Sequence, residues 1–118
     1  MEALTLEKTT DWTFLSNYGH VILCLAENPG ARLREVADRV GITERSAMRL
    51  ITHLDEAGIL SREKDGRRNH HLINLAAPLR HPIEEHCTVG LLLKMDLSPA
   101  ALLKLEKDKA KWTDRQVS

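Results

Sequence analysis

The stretch LREVADRVGITERSAMRLITHL, residues 33 to 54, contains two runs of helical periodicity separated by a single glycine, Gly41. An unbroken helix would bury the same Val, Ile and Leu residues at lower backbone cost, because glycine loses the most conformational freedom on folding. The break therefore reads as a turn that sets the second run across the first. Leu33, Val36, Ala37 and Val40 share one face of the first run. Ala47, Leu50, Ile51 and Leu54 repeat at i, i+3, i+4 and i+7 along the second, which marks its buried stripe. Gly41 supplies a residue comfortable at positive φ, Ile42 follows as an inward plug, and Thr43 is the N-cap with Ser46 at N3. The opposite face of the second run carries Glu44, Arg45, Met48, Arg49, Thr52 and His53.

The flanking sequence completes a mainly α chain with a small β-hairpin. Aromatic residues make up only 3% of the 118 residues, so the core is aliphatic, which favours helices over a sandwich of sheets. Residues 1 to 12 lack periodicity and read as a tail. Ser16 opens a first helix, with Tyr18, Val21, Ile22, Leu25 and Ala26 at helical spacing, and Asn28, Pro29 and Gly30 end it. After Gly58 the apolar period changes from helical to alternating. Ile59 to Lys64 and Asn69 to Leu75 read as two strands, joined by a tight turn at Asp65 and Gly66. His70 and His71 then serve opposite faces of the hairpin, one inward and one outward. Residues 77 to 82 form a Pro-punctuated connector. A helix is expected from Pro82, and a last one from Ser98 with Pro99 at N1. Leu91, Leu92, Leu93, Met95, Leu97, Leu102, Leu103 and Leu105 give these two helices more apolar surface than one small domain can cover.

Charge separates the middle of the chain from its ends. Lys and Arg together equal Asp and Glu, 17 each, so the net charge is zero with His neutral. Between Gly30 and Pro82 there are ten cations against seven anions, a local charge of +3, and nine of the ten cations are Arg. Arg is the residue suited to bidentate recognition of phosphate and of guanine. The two cysteines, Cys24 and Cys87, lie far apart without a Cys-x-x-Cys motif, so nothing calls for an oxidising compartment. The first residues are acidic and polar, unlike a signal peptide, and the longest apolar run, residues 21 to 26, is too short to cross a membrane. A cytoplasmic protein is expected.

Helix, turn at Gly41, helix and hairpin follow the order of a winged helix-turn-helix. In that arrangement the outer face of the second run stands clear and can enter a major groove about 12 Å wide. LREVADRVGITERSAMRLITHLDEAGIL followed by REKDGRRN resembles the winged helix-turn-helix transcription regulators of the MarR and ArsR kind, over roughly residues 13 to 75. The apolar excess of the C-terminal helices, within residues 77 to 118, suggests homodimerisation. The resemblance implies a DNA-binding domain over residues 13 to 76. It implies a reading helix that contacts double-stranded DNA through Thr43, Glu44, Arg45, Met48, Arg49 and Thr52. It also implies a wing carrying Lys64, Asp65, Arg67 and Arg68, in which Asp65 braces the hairpin and Arg67 reaches a minor groove or a phosphate. A repressor is the function expected from it, and the apolar excess makes it a homodimeric one.

Plainer readings exist for the same residues. A charged helix face is usually just solvated, with Glu44 and Asp55 as partners for Arg45 and Arg49. Here the exposed edge continues into Lys64, Arg67 and Arg68, which favours DNA. A winged helix that docks a protein partner is the alternative from another class. His81, His86 and Cys87 have no standard ligand spacing, and no Cys-x-Cys pair matches the metal site of ArsR-like proteins, so no metal is expected. No cofactor site, nucleophilic triad, paired-carboxylate pocket or glycine-rich phosphate loop is present, and no small-molecule effector site is evident; the chain does not read as an enzyme. Cys24 reads as a small core hydrophobe.

Overall fold

The first helix, α1 (Asn17–Glu27), is apolar on most of its circumference, and the rest of the chain wraps it. The computed structural model describes residues 12–65 and 68–117, in backbone only at 65, 68 and 110–117. Its remaining elements are α2 (Leu33–Val40), α3 (Glu44–Glu56), β1 (Leu60–Asp65), β2 (Arg68–Ile73), α4 (Val89–Asp96) and α5 (Pro99–Val117). Val21, Ile22, Cys24, Leu25 and Ala26 of α1 are all buried, and α1 touches α2, α3, α4, α5 and β2. The core is aliphatic, as the scarcity of aromatic residues requires. Burial pushes the Cys24 thiol above its ordinary pKa, which keeps it protonated and unreactive within that core.

Local signals decide the helix-turn-helix. Glu35 accepts a hydrogen bond from the Arg32 backbone N–H at 2.7 Å, which fixes the first turn of α2. At its other end Gly41 adopts φ 86°, and the N–H groups of Gly41 and Ile42 both donate to the Ala37 carbonyl. Two residues after the glycine, the Thr43 hydroxyl accepts from the Ser46 N–H at 3.0 Å and caps the start of α3. Ala37 and Ala47 are both buried, and these small side chains let α2 and α3 approach closely. A Cβ added at Gly41 meets nothing within 4 Å, so the cost of replacing it is purely conformational. Gly41→Val is accordingly expected to lower unfolding stability by about 1–2 kcal/mol, read from the urea midpoint, whereas Gly41→Asn loses less.

The hairpin is antiparallel, with Leu60 opposite Ile73 and Asp65 opposite Arg68. It is shorter at its base than expected, because the Ile59 N–H donates to the Leu54 carbonyl rather than across to Asn74, although the Asn74 N–H still donates to Ile59. The Asn74 side-chain amide donates to the Gly58 carbonyl while its side-chain oxygen accepts from the Ala76 N–H. Ile59 thus precedes the first strand. The expected turn at Gly66 and the position of Arg67 lie outside the described residues, as do residues 1–11 of the expected tail.

The helix expected from Pro82 is corrected more substantially: α4 begins only at Val89. Residues 82–87 instead form turns, with Glu84 donating to the His81 carbonyl and Cys87 to that of Glu84. The connector folds back on itself, Leu79 donating to Cys87 and Val89 to Ala77, so a helix over the same residues would break these bonds. Thr88 then caps α4 by accepting from the Leu91 N–H. Ser98 caps α5 in the expected way, and α5 lies along β2 and α1. Among the described residues no helix is long and apolar enough to cross a membrane.

Candidate nucleic-acid interface

Burial of Ala47, Leu50, Ile51 and Leu54 turns the other side of α3 to solvent. Glu44, Arg45, Met48 and Arg49 are exposed there, and Thr52 is half-buried at the edge. Arg45 and Arg49 stand one turn apart on the same face. Neither has an acidic partner within 4 Å among the described residues, whereas Arg34 and Arg39 of α2 face Glu44 at 3.7 Å and Glu27 at 2.7 Å. The Arg34–Glu44 pair is well exposed and worth little in stability. The Thr43 hydroxyl is occupied as the cap of α3. His53, expected on the same outer face, is turned away from it: its Nδ1 lies 2.7 Å from the Tyr18 hydroxyl, with the two rings stacked, so it joins α3 to α1.

On the hairpin, Lys64 is exposed. The side chains of Asp65 and Arg68 and the whole of Arg67 fall outside the described residues. The two histidines face opposite ways, as alternation requires, but neither points outward unpartnered. His71 is 7% exposed; its N–H donates to the Pro29 carbonyl at 2.9 Å and its Nδ1 lies 3.4 Å from the same oxygen. His70, expected to face DNA if His71 faced inward, is instead held by α5, with Nε2 3.3 Å from Asp108 Oδ2.

Burial lowers the His71 pKa, and the Arg62 charge adds to this, against the pull of the Pro29 carbonyl. The folded protein thus prefers the neutral imidazole more than the unfolded chain does. His71 therefore favours folding fully above the unfolded value of about 6.5, and that contribution is lost as pH falls below it toward the lowered folded value. The urea midpoint is expected to drop between pH 7 and 5, and to drop less in His71→Gln.

Two cations that the sequence reading passed over sit beside the same face. A cleft of about 340 Å³ lies between the hairpin and the start of α2, bounded by Arg32, Met48, Arg62, Asn69 and His71 together with apolar neighbours. Strand alternation carries the signal that finds Arg62: it shares a face with Lys64 and stands opposite His71. A second, larger cleft of about 920 Å³ lies on the far side of α3, between α1 and the connector, and mixes Arg80 and His81 with Glu56 and Glu84. Among the described residues no group of His, Cys, Asp or Glu is arranged to hold a metal ion.

Residues 15–64 match the IclR helix-turn-helix domain, a span that runs from the start of α1 into β1. No curated protein matches the chain. The structure is similar to MepR, a transcription regulator of the Staphylococcus aureus multidrug efflux pump MepA, at 16% identity and TM-score 0.42, covering 96% of this chain and 66% of MepR. It is also similar to the Mycobacterium tuberculosis MarR family protein Rv2887, solved with salicylic acid, at 19% identity and TM-score 0.46, covering 86% of this chain and 65% of that one. The chain thus spans just under two thirds of the length of both. A helix-turn-helix is a DNA-binding motif rather than a catalytic one. Residues 15–64 thus form a segment similar to the IclR helix-turn-helix domain, and it runs into a two-stranded hairpin in the order of a winged helix-turn-helix.

Proposed function

We propose that the protein is a homodimeric, sequence-specific DNA-binding transcription regulator that acts as a repressor. The observation that carries this reading is the pair Arg45 and Arg49, exposed on α3 and without acidic partners among the described residues, next to a hairpin that adds Lys64. Arg49 and Arg45 reach base edges or flanking phosphates, Met48 meets a thymine methyl, and Glu44 accepts from a cytosine amino group. Thr43 and Thr52 border this set, and Lys64, Arg67 and Arg68 hold the backbone beyond the groove, with Asp65 bracing the turn.

Exposed Leu91, Met95 and Leu103 on the last two helices support a dimer, together with Trp12 and Phe14, whose rings meet edge to face. Two-fold symmetry would set the two α3 helices about 34–36 Å apart, one DNA turn, over a pseudo-palindrome. Sedimentation at micromolar concentration is expected to give a dimer; a monomer there removes this part of the reading.

Titration of duplex binding against salt tests the whole. With about four phosphates neutralised per protomer, the log–log slope for a dimer should lie near about −7. Arg67→Ala should weaken all duplexes alike and flatten that slope by about one unit per wing. Absence of salt-dependent binding to any duplex would leave a protein-docking winged helix instead.

A further inference from the structure

We infer that Arg32 and Arg62 together form a phosphodiester clamp in the cleft between the hairpin and α2, an anchor for the DNA strand that borders the groove read by α3. This inference rests on the DNA-binding reading and adds a contact midway along the hairpin, apart from its tip.

Three observations converge. Every ionisable side chain that lines this cleft is basic, namely Arg32, Arg62 and His71, whereas the larger cleft on the far side of α3 mixes both signs. Neither the Arg32 nor the Arg62 guanidinium has an acidic partner within 4 Å among the described residues, whereas those of Arg34 and Arg39 do, and Glu35 meets the Arg32 backbone N–H instead. Two guanidinium groups that share a cleft repel each other, and an anion between them converts that repulsion into attraction. The planar fork of arginine suits the oxygens of a phosphate.

The supports of the two groups are also tied together. Arg62 stands opposite His71 in the ladder, and the His71 backbone N–H donates to Pro29, three residues before Arg32. The hairpin and the start of α2 therefore hold their arginines at a set separation. Asn69, next to Arg62 on the same face, offers an amide to the same anion. Met48 of α3 also lines the cleft, so the anion held there belongs to the backbone beside the groove that α3 occupies. His71 lies neutral at the cleft's buried side and leaves the charge to the arginines.

The test is salt-dependent binding to fluorescent duplexes of random sequence and to the tightest duplex selected from them, with wild-type protein, Arg32→Ala/Arg62→Ala, and Arg32→Lys/Arg62→Lys. The alanine variant should bind every duplex more weakly by the same factor, with a log–log slope less steep by about 0.9 per protomer. The lysine variant should recover the slope, which separates loss of charge from loss of fold. Wild-type slope and affinity in the alanine variant would overturn the clamp while leaving the DNA-binding reading intact. Lack of salt-dependent binding by the wild type would remove both. Replacing chloride by inorganic phosphate at constant ionic strength should weaken duplex binding by the wild type more than by the alanine variant, because free phosphate competes for the two guanidinium groups; an equal effect on both would overturn the clamp. Saturable binding of inorganic phosphate to the wild type that leaves duplex affinity untouched would instead make this a site for free phosphate and overturn the clamp.

Discussion

Leu25→Ala is expected to lower the unfolding free energy by about 2–5 kcal/mol, the range for removing a fully buried leucine from a core that cannot collapse around the gap. Leu25 is wholly buried on the one helix that touches α2, α3, α4, α5 and β2. A cavity there cannot close by the shift of a single neighbour, because each neighbour is also held by others. Urea unfolding should show a lower midpoint at an unchanged m-value, since the surface exposed on unfolding hardly alters. Leu25→Met conserves volume and should lose less than about 1.5 kcal/mol. Equal losses in the two variants would show that shape, rather than volume, governs this site.

Arg49→Ala is expected to cost about 1–3 kcal/mol of binding to the preferred duplex and to relax the preference at one base pair. The side chain is exposed on α3 and makes no ion pair with a described residue, so its removal leaves no buried charge behind and stability should stay within about 0.5 kcal/mol. Binding of a panel of duplexes, each altered at one base pair, separates two roles for the group. Loss of discrimination at a single position marks a base contact, and equal weakening across the panel marks a phosphate contact.

What could be read from the chain alone was what neighbouring residues decide among themselves. The span from Leu33 to Glu56 needs only Gly41 to turn the backbone and Thr43 to cap α3, and its buried stripe of Ala47, Leu50, Ile51 and Leu54 follows from helical period. The start of α4 depends instead on pairing between Ala77 and Val89 and between Leu79 and Cys87, partners that no local pattern relates. Alternation predicts that His70 and His71 face opposite ways. Only the packing of α5 decides that His70 meets Asp108. Arg62 was missed for a related reason. It lies at an alternate position on β1 away from the charged tip, and its neighbour is the start of α2, a partner remote in sequence.

The hydrogen bond from His71 to Pro29 has a consequence for association. It fastens the hairpin to the loop ahead of α2, while α3 packs directly against α2 across the turn at Gly41. The hairpin and the reading helix are therefore preorganised as one rigid body, and the entropy of ordering them is lost on folding rather than on meeting DNA. Substitutions that loosen this joint, far from any base or phosphate, would weaken binding without removing a single contact to the duplex.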